Sequence, residues 1–122
     1  MSRLPLALLL ALAATPVLAR TREIPPATPT GPAVDCISTI NLRTRVRSDD
    51  VIDFIVAGQT YRNTLPQSCP TLGFEQRFAY RLQTTRLCSL DIITILQDPG
   101  LSRGPSCGLG KFQPVDIPRK DR

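Results

Sequence analysis

The stretch Ile40-Asn41-Leu42-Arg43-Thr44-Arg45-Val46-Arg47 decides the fold class. Ile40, Leu42, Thr44 and Val46 alternate with Asn41, Arg43, Arg45 and Arg47. That is the period of two expected of a half-buried strand, whereas a helix would scatter both sets around its circumference. Outward from it, Ser48-Asp49-Asp50 reads as a turn and Val51 to Val56 as a β-branched apolar run holding one charge, Asp53. Gly58-Gln59 fits a hairpin turn of the mirror-image class, and Thr60 to Leu65 returns as a strand.

The alternation continues downstream. Pro66-Gln67-Ser68-Cys69-Pro70 cannot sit inside a sheet. From Phe74 to Gln83, Phe74, Phe78, Tyr80 and Leu82 share one parity while Glu75, Arg77, Arg81 and Gln83 take the other, the clearest strand pattern in the chain. Thr84 to Leu90 reads as a turn. Ile92 to Leu96 is apolar at nearly every position, which predicts cover on both faces. Asp98-Pro99-Gly100 and Gly104-Pro105 mark a long loop, and Leu109 to Val115 a last, weaker strand. About six short strands with such turns predict an all-β domain, a small antiparallel sheet, sandwich or barrel. Tyr61, Phe74, Phe78, Tyr80 and Phe112 are expected in its core, because so small a domain needs its aromatics inside.

The chain begins differently. Arg3 precedes an apolar run from Leu4 to Ala14, and Val17 and Ala19 stand at the −3 and −1 positions of a signal peptidase site. Residues 1–19 read as a cleaved leader, with cleavage after Ala19; the apolar run is about half of the roughly 20 residues a membrane span needs. No later stretch is apolar enough to cross a bilayer. Residues 20–34 hold four prolines and three threonines and read as a flexible tether. The single β domain is expected over residues 35–117, followed by a charged tail at 118–122. Loss of Arg3 with the leader takes the net charge from +5 to +4, and 13 arginines against 2 lysines suggest a GC-rich bacterial genome. Location in the periplasm or outside the cell follows.

Export makes the cysteines legible. Cys36, Cys69, Cys88 and Cys107 are even in number, lie beyond the leader, and have no histidine to share a metal with. Two disulfides are the default reading, and the lack of any C-x-x-C pair argues against zinc. If the strands run up and down in sequence order, Cys36 and Cys88 fall at one end and Cys69 and Cys107 at the other. Disulfide Cα atoms must approach within about 7 Å, whereas a Cys69–Cys88 bridge would have to close across a strand of roughly 30 Å. The pairs Cys36–Cys88 and Cys69–Cys107 are therefore expected. Each loop closure contributes about 4 kcal/mol by chain-entropy reasoning, although overlapping loops do not simply add.

Tyr61-Arg62-Asn63-Thr64-Leu65, Phe78-Ala79-Tyr80, Leu87-Cys88-Ser89-Leu90-Asp91-Ile92-Ile93 and Ser106-Cys107-Gly108-Leu109-Gly110-Lys111-Phe112 resemble a family of small exported bacterial proteins known only as a domain of unknown function. The likeness covers roughly Val34 to Val115. It implies export and a compact domain, and carries over no activity, cofactor or catalytic residue.

Chemistry is narrowly bounded. Without histidine, Ser-His-Asp and Cys-His nucleophiles are impossible, and oxidised cysteines offer no thiolate. Asp49, Asp50 and Asp53 lack the glycine and ordered oxygens of a calcium loop. Asp53, Glu75 and Asp91 are the acids in or beside the sheet, and a carboxylate-based hydrolase would need them to converge. No metal or other cofactor is implied. Arg43, Arg45 and Arg47, joined by Arg62, form a possible anion-binding face, against the alternative of a solvated sheet face whose arginines guard an edge. The leading expectation is a non-catalytic binding module of the bacterial envelope. Its partner would be an envelope or secreted protein or an anionic envelope component. Nucleic acid is excluded by compartment and by the lack of aromatics placed to stack bases. The alternative is an inhibitor of a secreted or periplasmic enzyme acting through Asp98 to Ser106.

Overall fold

The structure, a computed structural model, describes residues 23–122; the leader and its cleavage point at Ala19 lie outside the described residues. The fold is all-β, as the alternation predicts, in three antiparallel sheets. β1 (Thr28–Pro29), β10 (Phe112–Asp116), β5 (Gln59–Thr64), β4 (Val51–Val56) and β3 (Arg43–Val46) make a five-stranded sheet in that order. β6 (Phe78–Tyr80), β8 (Ile92–Gln97) and β9 (Ser102–Gly108) make a second, and β2 (Cys36–Ser38) pairs with β7 (Arg86–Cys88) in a third.

The core lies between the sheets. Phe54 from β4 meets Phe112 of β10 edge-on, with ring centroids 5.3 Å apart, and Phe78 of β6 at 6.3 Å. Ile52, Leu87, Ile93 and Leu109 are fully buried around them. Each such aliphatic side chain contributes about 1.5–3 kcal/mol by leaving water. Asn63 is the polar member of this interior. Its amide donates to the Gly110 carbonyl at 2.7 Å and accepts from the Gly110 N–H at 2.8 Å, so both buried ends are satisfied.

The disulfides join the expected pairs. Cys36 and Cys88 stand directly opposite each other in the β2–β7 ladder, with Cα atoms 4.0 Å apart. Cys69 and Cys107 close the other bridge, at a Cα separation of 5.9 Å, and Cys69 is fully buried. The strict meander behind that expectation is not what the sheets show. Only β3-β4-β5 runs as one, while β10 inserts between β1 and β5 and β7 leaves the second sheet altogether.

Several elements depart from the sequence reading. The hairpin turn sits at Ala57-Gly58, not Gly58-Gln59; both residues have positive φ (49° and 78°), the two-residue geometry that matches strand twist. Strand structure in Phe74–Gln83 is confined to Phe78–Tyr80. Leu72–Glu75 instead forms one helical turn, α1, in which Leu72 is buried and Phe74, two positions on and so across the helix, is 86% exposed. Phe74 is therefore not a core residue; the other four expected aromatics are buried or half-buried. Residues 84–90 contain β7, whose three residues are too few to show a period. Ile92–Leu96 is covered on one face only: Ile93 and Ile95 are fully buried while Ile92 is 55% exposed. The long loop after Asp98 is a short tip, because β9 begins at Ser102.

The described part of the tether and the tail also differ from expectation. Thr28 and Pro29 pair with Asp116 and Val115, and Val34 bonds both ways to Phe112. Residues 119–121 form a 3-10 turn whose Asp121 carbonyl accepts a hydrogen bond from Arg47. Prolines are tolerated here because β1 is an edge strand, where a missing N–H breaks no ladder.

Candidate functional site

The outer face of the five-stranded sheet carries the charge. Register places Arg45, Asp53 and Arg62 in one row across β3, β4 and β5, and Arg43 opposite Ile55 in the next row of that face. Asp53 is the centre. Its side chain is 1% exposed and receives Arg62 Nε at 2.8 Å on Oδ1, Arg62 Nη2 at 3.0 Å on Oδ2, and Arg47 Nε at 2.9 Å on Oδ2. Arg62 thus grips the carboxylate with both prongs, the strong arrangement for this pair.

The two arginines do a second thing. Arg62 Nη1 donates to the Pro25 carbonyl at 2.8 Å, and Arg47 Nη2 to the Asp121 carbonyl at 3.1 Å. One buried carboxylate thereby orients two guanidinium groups that fasten the N-terminal and C-terminal segments across the sheet. The four arginines expected to act together fall into two classes. Arg47 and Arg62 are 15% exposed and structural. Arg43 and Arg45 are exposed and form no ion pair among the described residues.

Arg43 and Arg45 stand over a cleft of about 530 Å³. Ile55 and Val115 supply apolar wall, Thr60 a hydroxyl, and Arg122 a further guanidinium, which reaches Asp116 at 3.4 Å. The chemistry available is recognition of an anionic group by guanidinium and hydroxyl donors. No member of the cleft is poised as a nucleophile with an adjacent base.

Comparison of the chain with known protein families, curated proteins and solved structures gave no match.

The three acids named for hydrolysis are tied to separate tasks. Asp53 holds Arg47 and Arg62. Glu75 Oε2 accepts the Asp98 N–H at 3.3 Å, and Asp91 Oδ2 accepts the Cys88 N–H at 2.7 Å, which caps the turn after β7. Asp49 Oδ1 accepts the Gly73 N–H at 2.8 Å and Asp50 Oδ1 the Ser48 hydroxyl at 2.7 Å, both as turn residues. Among the described residues no three acids, cysteines or histidines stand together as metal ligands. The loop proposed for inhibition narrows to the tip Asp98–Leu101, steadied by an Arg77–Asp98 ion pair and carrying a half-exposed Leu101.

The role of Asp53 escaped the sequence reading, yet a signal exists. A two-residue turn at Ala57-Gly58 sets Asp53 directly opposite Arg62. Placing that turn one residue later slides each partner by two positions and sets Asp53 opposite Thr64.

Proposed function

We propose that this chain is an exported, non-catalytic binding module that recognises an anionic group through Arg43 and Arg45. One observation carries the reading: Asp53 consumes Arg47 and Arg62, while the two arginines on the edge strand are exposed and form no ion pair among the described residues, beside a cleft with hydroxyl donors. Paired guanidinium groups suit carboxylate, phosphate or sulfate oxygens, and a binding role needs nothing that the cleft lacks. Two closed disulfides support an oxidising compartment, in keeping with the leader read at residues 1–19. No described helix is long and apolar enough to cross a membrane.

The test is retention on immobilised heparin, a polyanion of carboxylates and sulfates. The R43E/R45E variant is expected to elute at much lower salt than the wild type. R81E/R103E, with the same change in net charge at and beside the second sheet, is expected to shift far less. Equal shifts in the two variants would mean that only total charge matters and would remove the site.

A further inference from the structure

The edge that carries Arg43 and Arg45 also has no partner strand among the described residues. The Arg47 N–H bonds the Val51 carbonyl, and hydrogen-bonded pairs alternate along an antiparallel ladder. Arg45 and Arg43 therefore bond inward to β4, and the backbone groups of Thr44 and Val46 point away from it. Neither bonds elsewhere among the described residues. The same count on β6 starts from the Leu96 N–H bonding the Arg77 carbonyl, and turns the backbone groups of Phe78 and Tyr80 outward. Between these edges lies a groove of about 400 Å³ lined by Leu42, Thr44, Phe78, Tyr80 and Leu96. The two sheets thus meet at a seam bordered on both sides by strand edges unsatisfied among the described residues and walled in part by apolar side chains, with Gln76 and Arg77 also lining it.

We infer that β3 accepts an added strand: an extended segment of another protein, with acidic residues at alternate positions and apolar residues between. Strand addition supplies affinity through main-chain hydrogen bonds and specificity through the alternating side chains. Here the two sides differ. Side chains on the outer side of the incoming strand meet Arg43 and Arg45, which favours carboxylates. Those on the inner side meet Thr44, Phe78 and Tyr80, which favours apolar groups. A second copy of this chain is a poor occupant, because antiparallel pairing of two β3 edges would oppose arginine to arginine. The other edge of the second sheet, β9, is less receptive, because a bulge between Thr94 and Leu96 breaks its register. The inference deepens the anion-recognition reading and rests on it by naming the carrier of the anion.

The probe is an N-acetylated, C-amidated octapeptide of alternating Glu and Val, titrated into the wild-type protein. Two companions keep its side chains: one is N-methylated at alternate backbone amides, and one has the four Glu and four Val in separate blocks. The alternating peptide is expected to bind, to slow hydrogen exchange at Thr44 and Val46, and to lose affinity by roughly tenfold or more on N-methylation. Equal affinity for all three peptides would overturn strand addition while leaving anion recognition by Arg43 and Arg45 standing. No peptide binding alongside intact heparin retention would have the same meaning; loss of both would overturn both readings. Protection of Thr44 and Val46 that rises with concentration of the protein alone would show a second copy in the seam and would overturn the acidic partner.

Discussion

Asp53→Ala is the polar substitution with the largest expected consequence for stability. The wild-type carboxylate is 1% exposed and accepts three charge-assisted hydrogen bonds from two arginines that are themselves only 15% exposed. Removal leaves both guanidinium groups partly buried without their counter-charge. Breaking a buried pair in this way costs about 3–5 kcal/mol, and the residual contact of Arg47 and Arg62 with water places the expected loss near the lower end, about 3 kcal/mol. Against a total stability of roughly 5–15 kcal/mol that is severe. The melting temperature should fall by roughly 10–25 °C, and the urea midpoint by about 2 M if the slope is near 1.5 kcal/mol per M. Because the same arginines hold the Pro25 and Asp121 carbonyls, amide exchange at Thr30 and Asp121 should accelerate more than global destabilisation alone requires. The apolar replacement D53L/R47M/R62M should recover most of the stability, since it removes the desolvated charges together, while exchange at the chain ends stays fast. A loss below about 1 kcal/mol for Asp53→Ala, the scale of an exposed ion pair, would refute the buried-hub reasoning.

Other substitutions probe the remaining links. Asn63→Ala should cost about 2 kcal/mol in urea unfolding, because it strands the Gly110 N–H and carbonyl that the amide now satisfies. Replacing Cys69 and Cys107 together by Ser opens a bridge between residues 38 apart in sequence, and should lower unfolding stability by about 4 kcal/mol on the chain-entropy estimate. Phe74→Ser should change stability by less than about 0.5 kcal/mol, as expected of an exposed side chain; a cost of several kcal/mol would return Phe74 to the core.

The alternating segments were legible because one face is apolar and the other polar over several residues. Arg43–Val46 lies within a strand read that way and Val51–Val56 matches one, whereas Gln59–Thr64 starts one residue before the strand read at Thr60 to Leu65, because the turn sits one residue earlier. Elements of two or three residues, such as Thr28–Pro29 and Arg86–Cys88, carry no period and exist because a longer neighbour or a disulfide holds them. Phe74 misled because parity alone cannot distinguish a strand from one helical turn that buries Leu72. The cysteine pairing was recoverable even though the assumed meander was only partly present, since Cys36 and Cys88 share one ladder. In the site, the arginine row was visible in the sequence. Its division into two structural members and two with no ion pair among the described residues was not, because that depends on a cross-strand register fixed by the location of a two-residue turn.

The division of the arginine row is tested most directly by mapping amide chemical-shift changes while inorganic tripolyphosphate is titrated into the wild-type protein. Changes that saturate and centre on Arg43, Thr44, Arg45 and Thr60 are predicted, with the side-chain Nε–H signals of Arg47 and Arg62 held in place by Asp53. Changes centred on Arg81 and Arg103, or displacement of the Arg47 and Arg62 signals ahead of those of Arg43 and Arg45, would contradict the account.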